Sequence, residues 1–362
     1  MRAVALLGLH AKEHHVRRFE MPGVNLFSGN ELDPTDQPDA ALVFGGDGTI
    51  HRHLGGLARK QIPTLIVPVG SANDFAQSIG VESVSKSLAA WQRFCSSGDN
   101  VRSIDLGTIE PLEPNSPAPR PPSLANSEDV ELKSGSSNET LNANDAVPWQ
   151  GETLESLHFV PDGPRLDLPR MGTRIMHSQL RRRSEAGNQI ASTTFFCCLA
   201  GTGLDAAVNR LTLAQPRWLR GHGGYVVGLV QVLSTFQPPH VTVSVEEAGS
   251  WQTRVDEPGF LIAAGNGPQY GHGMRLTHEA KMDDGLFDVC FVKTLSKLRL
   301  LWLFRAVYSG GHIHMKEVEY FRASRLRIAT DPVTEIFADG EYICETPAEL
   351  SVRRDGLRVI VS

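Results

Sequence analysis

Leu42-Val43-Phe44-Gly45-Gly46-Asp47-Gly48-Thr49 carries the chain out of an apolar run and straight into a glycine-rich turn. The run, Ala40 to Phe44, predicts a buried strand. Three glycines then enclose one carboxylate, and a hydroxyl follows at once. Glycine has no Cβ, so the turn can take positive φ and bring its amides close to a ligand. Amides so arranged at the start of a helix make an anion site. Asp47 adds negative charge, which suits a phosphate neighbour when a divalent cation lies between them. Thr49 is expected to cap the following helix and to donate to a phosphate oxygen.

The neighbouring segments repeat this pattern. Ile50, Leu54 and Leu57 fall at helical spacing, and Thr64 to Val67, entered from Pro63, predicts the next strand. A second loop follows, Val69-Gly70-Ser71-Ala72-Asn73-Asp74-Phe75-Ala76. Ser71 is expected to cap a helix over 72–79, with Asp74 in its first turn. Residues 2–8 and 24–27 predict two earlier strands, and 101–107 a later one. Alternating strands and helices imply a parallel α/β sheet, in which ligands sit at the carboxyl ends of the strands. Loops 45–49 and 70–74 both lie at such ends.

These two loops resemble the nucleotide site of the diacylglycerol kinase catalytic family. That family includes soluble bacterial lipid kinases and the sphingosine and ceramide kinases, and it is distantly related to NAD kinases and phosphofructokinases. The resemblance implies an α/β N-terminal nucleotide-binding domain with a parallel sheet, followed by a C-terminal antiparallel β-sandwich domain. It also implies ATP and Mg²⁺ as cofactors, with Gly45, Gly46, Asp47, Gly48, Thr49, Ser71, Asn73 and Asp74 around the nucleotide. Two departures stand out. The Asn-Pro-x-Ser-Gly turn that opens the family is absent, leaving Lys12, His14 and Ser28 as candidate replacements. His51 stands where relatives carry Asn.

Composition changes sharply after Gly107. Residues 110–150 are rich in Pro, Ser, Asn and Glu, and the whole of 109–191 is expected to be a low-complexity, disordered insert between a catalytic domain at 1–108 and a β domain at 192–362. Beyond it, strands are expected at 193–200, 240–246, 259–264, 286–292, 325–330, 334–338, 349–353 and 357–361, with the last ones returning to the first domain. Helical patterns fall at 204–214 and 294–308. Gly201-Thr202-Gly203-Leu204-Asp205-Ala206 nominally fits a dinucleotide fingerprint. No acidic residue lies about twenty positions on to hold a ribose, so it is read as a strand-to-helix turn.

Two acidic turns carry chemistry. Asp283-Asp284-Gly285-Leu286 is, as bare sequence, a favoured Asp-Gly turn. The family resemblance implies a structural Mg²⁺ there, held by Asp284 and the carbonyls of Lys281 and Leu286. Asp339-Gly340-Glu341 also reads as a hairpin turn. The resemblance implies that it faces the γ-phosphate, with Glu341 as general base and Asp339 orienting that base or a metal-bound water. Two carboxylates one residue apart can both face one cleft.

Bulk properties narrow the function further. With 362 residues, 41% hydrophobic and 21% charged, the chain is globular and long enough for two domains. A net charge of −6 argues against general nucleic-acid binding. Five scattered cysteines without a CxxC pair suit reduced thiols. No apolar stretch approaches the ~20 residues of a membrane span. The expectation is a cytoplasmic lipid kinase, peripheral to the membrane, that meets its lipid at a bilayer surface; a homodimer is a compatible assembly. The competing readings are a sphingoid, ceramide or NAD kinase, an inactive nucleotide- or lipid-binding regulator, and a scaffold recruiting a partner through the insert. Lys293, Lys297 and Arg305 are expected on one face of a basic amphipathic helix. His312-x-His314 lacks a third metal ligand.

Overall fold

The strand predicted at 40–44 is apolar throughout because both of its faces are covered. A computed structural model describes residues 1–29, 31–32, 35–113, 193–214, 232–233, 235–271 and 273–362. Its first elements are β1 (Arg2–Leu7), α1 (Glu13–Arg17), β2 (Asn25–Gly29), β3 (Ala40–Gly45), α2 (Asp47–Lys60), β4 (Thr64–Pro68), α3 (Asp74–Ser78), α4 (Val84–Ser96) and β5 (Val101–Pro111). Strands β2, β1, β3 and β4 lie side by side in parallel. On one face Leu6, Val43 and Ile66 pack with Leu54 and Leu57 of α2. On the other, Leu42, Phe44, Leu65 and Val67 pack with Trp91 of α4 and with Phe19. A sheet covered twice has no polar face to alternate, which is why β3 reads as an unbroken apolar run.

The second half contains β6 (Thr194–Phe196), β7 (Leu199–Gly203), α5 (Leu204–Ala214), β8 (His240–Glu247), β9 (Ser250–Gly265), β10 (Phe287–Lys293), α6 (Lys297–Ser309), β11 (Val318–Ala323), β12 (Arg325–Asp331), β13 (Glu335–Ala338), β14 (Glu341–Glu345) and β15 (Ala348–Ile360). Two antiparallel layers share the long strand β9. Its first part pairs with β8, and its last part pairs with β10 and β7. The crossing falls at Gly259, where a Cβ would come within 2.2 Å of the Phe291 ring. Between the layers, Val241, Val243, Ile262, Phe287, Phe291, Leu326, Ile328 and Ile336 form one buried core. The alternating valines of β8 are thus one face of a sandwich.

The halves are joined through β15. It runs antiparallel to β5 along almost its whole length, and Val359 pairs in parallel with Thr64 of β4. The last strand therefore adds to the parallel sheet.

The structure differs from the sequence expectations at several boundaries. Strands β11 and β14 went unpredicted, and the strands expected at 349–353 and 357–361 are one strand with a register shift between Arg353 and Leu357. Strand β5 runs to Pro111, past the end of the expected first domain. The disorder expected over 109–191 falls, from 114 onward, outside the described residues. The helix expected at 294–308 begins at Lys297, and Lys293 ends β10 instead, paired with Glu257 at 2.8 Å. Lys293 therefore does not share a helix face with Lys297 and Arg305.

Candidate active site

Two loops meet at the carboxyl ends of β3 and β4. Gly46 and Gly70 touch through their backbones: a Cβ on Gly70 would stand 2.5 Å from Gly46 Cα and 2.7 Å from Gly46 N. Only glycine at 70 permits this approach. Thr49 does not cap α2. The helix starts at Asp47 with Gly46 as its cap, and no side chain satisfies its first amides. Thr49 lies in the first turn, its side chain lodged where a Cβ of Gly8 or Gly45 would be. The second expected cap is also displaced. Helix α3 starts at Asp74, and Asn73, with φ 58°, is its cap residue. The Asn73 amide accepts from Gly70 N at 3.1 Å and donates to Gly70 O at 2.9 Å, so it braces the loop. Ser71 stays outside the helix and exposed.

Asp47 links the loops. Its carboxylate accepts the amides of Asp74 at 3.1 Å and Phe75 at 3.0 Å, which caps α3 from across the cleft. Asp74, buried, accepts the amide of Gly273 at 2.9 Å and so fixes the glycine-rich segment after β9. Burial pushes the Asp47 carboxyl up to about 6. The two amides oppose that shift, and the nearby Asp74 and Asp339 carboxylates add to it.

The turn Asp339-Gly340 connects β13 to β14 with both residues at positive φ, 50° and 84°. That is the two-residue hairpin for which Asp-Gly is suited. Its twist sends the two carboxylates in different directions, so they do not both face the cleft. Asp339 is fully buried and accepts the amides of Cys197 at 2.8 Å, Cys198 at 2.9 Å and Leu199 at 3.2 Å. His51 Nδ1 approaches it at 3.5 Å. Burial alone would lower the His51 pKa; the hydrogen bond and charge of Asp339, with Glu341 beyond, raise it. Burial would raise Asp339, but His51 and the amides bring it below the ordinary carboxylate range. Asp339 thus anchors the turn and is not among the residues lining the opening.

Glu341 points the other way. It is exposed, and its Oε1 lies 3.5 Å from where a Cβ of Gly48 would stand. A cleft of about 330 Å³ is lined by Gly45 to Thr49, Gly70, Ser71 and Glu341. Leu9, His10 and Arg52 line it too. The structure thus brings the first loop, the second loop and the distant acid to one opening. Lys12, His14 and Ser28 are not among its lining, whereas Leu9 and His10 of the same segment are. Arg52 was missed by the sequence reading. It lies four residues after Gly48, hence on the same helical face, and that spacing was the available signal.

Two matches were found among protein families. Residues 5–109 match the diacylglycerol kinase catalytic domain, and residues 199–361 match the YegS C-terminal NAD kinase beta sandwich-like domain. Together they span most of the chain. The chain thus carries a diacylglycerol kinase catalytic domain followed by a YegS-type C-terminal domain. It is 24% identical over 328 residues to a diacylglycerol kinase of Mycobacterium tuberculosis, covering 89% of this chain and 76% of that protein. It is 20% identical over 316 residues to a diacylglycerol kinase of Bacillus subtilis, covering 86% and 74%. A diacylglycerol kinase crystal structure from Bacillus anthracis superposes with a TM-score of 0.54 at 14% identity, covering 100% of this chain and 97% of that one. That likeness is one of fold.

The two cation sites implied for a diacylglycerol kinase of this type fare differently. Around Asp47, a buried carboxylate with Asp74 close by suits a divalent cation, whose charge would offset the burial, and the lesser repulsion, that push Asp47 up to about 6. Around Asp284 an arginine shares the site, beside a buried Asp288 carboxylate that has no hydrogen-bond partner. One Asp284 oxygen accepts the amide of Leu286 at 3.1 Å, and the other pairs with the Arg322 guanidinium. Arg322 already supplies the positive charge expected of a metal held with the Lys281 and Leu286 carbonyls, and it also lies 3.6 Å from buried Asp288. Among the described residues, one further cluster has ligand-like spacing: Cys197, Cys198 and Asp339. Burial pushes the Cys197 thiol well above its ordinary range, and Asp339 is already saturated by amides, so this cluster is packing. His312 is buried with Nε2 at 2.9 Å from Leu276 O, and it serves the core.

Gly70→Ala is expected to force the two loops apart. Nucleotide affinity should fall by about tenfold or more, with a stability loss of about 1–3 kcal/mol. Calorimetric titration with ATP·Mg²⁺ beside a thermal melt checks this; wild-type affinity would remove the loop contact from the account.

Proposed function

We propose that this protein transfers the γ-phosphoryl group of ATP to the hydroxyl of a lipid such as diacylglycerol. One observation carries the reading: Glu341, from the far end of the chain, stands over Gly48 of the phosphate loop in a single cleft. Phosphoryl transfer to an alcohol needs a group that takes the hydroxyl proton and a cradle for the phosphate charge. Glu341 takes the proton. The amides of residues 45–49 and the Arg52 guanidinium hold the phosphates, and Ser71 donates from the facing loop. Asp47 would hold a Mg²⁺, whose positive charge would offset the charge developing on the transferred phosphoryl group. Asp339 and His51 fix the direction of the 339–341 turn and with it the position of the base. The acyl chains of such a substrate stay in a bilayer, so the transfer takes place at a membrane surface. Among the described residues no helix is long and apolar enough to cross one.

The test is phosphorylation by labelled ATP of a panel containing diacylglycerol, ceramide, a sphingoid base and NAD, with and without Mg²⁺. A labelled lipid that requires Mg²⁺ is expected. Label on NAD alone, or ATP bound with no labelled product, would overturn the reading.

A further inference from the structure

Helix α6 presents large apolar side chains on opposite sides. Leu300, Leu303, Phe304 and Val307 face inward and line a cavity of about 50 Å³. On the outside, Leu298 is 82% exposed, Trp302 68%, Tyr308 47% and Leu301 45%. At helical spacing these four share one face with Arg305. A single exposed leucine is ordinary, but four large apolar groups on one helix face mark an interaction surface.

The charge around this face has one sign. Helix α6 contains no acidic residue, and it carries Lys297, Arg299 and Arg305. An adjoining groove is formed by Leu298, Trp302 and Met315 with Lys316 and Arg299. Its acid, Glu317, is buried and paired with Arg299. The chain as a whole carries −6, so this face runs against the net charge. Its position also bears on function. Val307 O accepts the amide of Arg275 at 3.2 Å, and Gly273, two residues earlier, donates to Asp74. The end of α6 is thus tied through this segment to Asp74 of the second loop.

We propose that the outer face of α6 is a membrane-docking surface that seats the kinase on an anionic bilayer. This rests on the lipid-kinase reading and names the surface by which the site meets its substrate. Trp and Leu entering the headgroup boundary, with Lys and Arg beside lipid phosphates, are the chemistry of an interfacial helix. A second copy of the chain fits less well. A two-fold contact through this face would set Lys297, Arg305 and Lys316 against their own copies.

Sedimentation of the full chain with vesicles, without nucleotide, tests the proposal. Wild type is expected to bind phosphatidylcholine vesicles containing phosphatidylglycerol better than phosphatidylcholine alone, and less as salt rises. The double variant Leu298→Glu with Trp302→Glu should lose about tenfold or more in partitioning. Arg305→Glu alone should lose the preference for phosphatidylglycerol. Both should phosphorylate detergent-dispersed lipid at the wild-type rate. Arg305→Glu carries the test if the double variant fails to fold. Undiminished vesicle binding by the variants overturns the proposal. So does light scattering in which the wild type is a dimer through this face and leaves vesicles unbound. Vesicle binding by a protein that phosphorylates no lipid would keep the docking surface and remove the kinase reading; lipid phosphorylation without vesicle binding would do the reverse.

Discussion

Glu341→Gln is expected to lose about 10²–10⁴-fold in phosphoryl transfer while ATP affinity and melting temperature stay at wild-type values. The magnitude is that of removing a positioned general base. The amide is nearly isosteric, and Glu341 is exposed at the start of β14, so no buried partner is orphaned. The hairpin geometry belongs to Asp339 and Gly340 and should be untouched. The loss should sit in kcat, because the proposed nucleotide contacts, residues 45–49 and 71, lie on other elements. Single-turnover kinetics on one lipid, beside ATP titration and a thermal melt, separate these quantities. A folded Glu341→Gln protein with normal turnover would remove Glu341 from the base role. A variant that lost ATP affinity instead would make Glu341 a nucleotide contact.

The parallel sheet and both loops were legible because each rests on a local cause. An apolar run bounded by glycines predicts β3 and its turn, and the spacing of Ile50, Leu54 and Leu57 predicts α2. The alternation of Val241, Val243 and Val245 predicts one face of a sandwich, and the buried core bears this out. Features that depend on distant partners were not legible. Thr49 and Ser71 look like caps by residue type. Glycine packing claimed the first, and Asp47, twenty-seven positions before Asp74, satisfied the helix that the second was expected to cap. Strand β11 lacks clean alternation: Glu319 and Arg322 in it pair with Arg254 and Asp284 from elsewhere in the chain. Arg322 itself stands in the chain with nothing to announce that it would meet Asp284. The opposite orientations of Asp339 and Glu341 depend on two successive positive φ values, and the Asp-Gly pair announced only a turn. Arg52 was visible only once Gly48 was known to line an opening.

The largest stability effect should come from Asp339. Removing its carboxylate orphans the amides of Cys197, Cys198 and Leu199 and leaves half-buried His51 without its partner. Breaking a buried, amide-satisfied charge costs about 3–5 kcal/mol. For Asp339→Ala this corresponds to a melting temperature lower by on the order of 10 °C. Asp339→Asn keeps an acceptor oxygen and should lose less. A merely packed side chain would behave the same at every pH, so pH separates the roles. Folding lowers the Asp339 pKa below its ordinary 3.8, so its contribution is present above 3.8 and is lost as pH falls through the folded value. Folding raises the His51 pKa above its ordinary 6.5, so its contribution is present below 6.5 and is lost as pH rises through the folded value. The pair therefore contributes fully between 3.8 and 6.5. Asp47 acts oppositely: with its pKa raised from 3.8 to about 6, it lowers stability as pH climbs between those values, and less so in the variant, where the Asp339 charge no longer adds to that shift. The melting-temperature gap between wild type and Asp339→Asn should then be widest within that window and narrow once His51 is neutral. A gap that does not change with pH would mean that His51 carries no charge toward Asp339, and that the turn is held by the three amides alone.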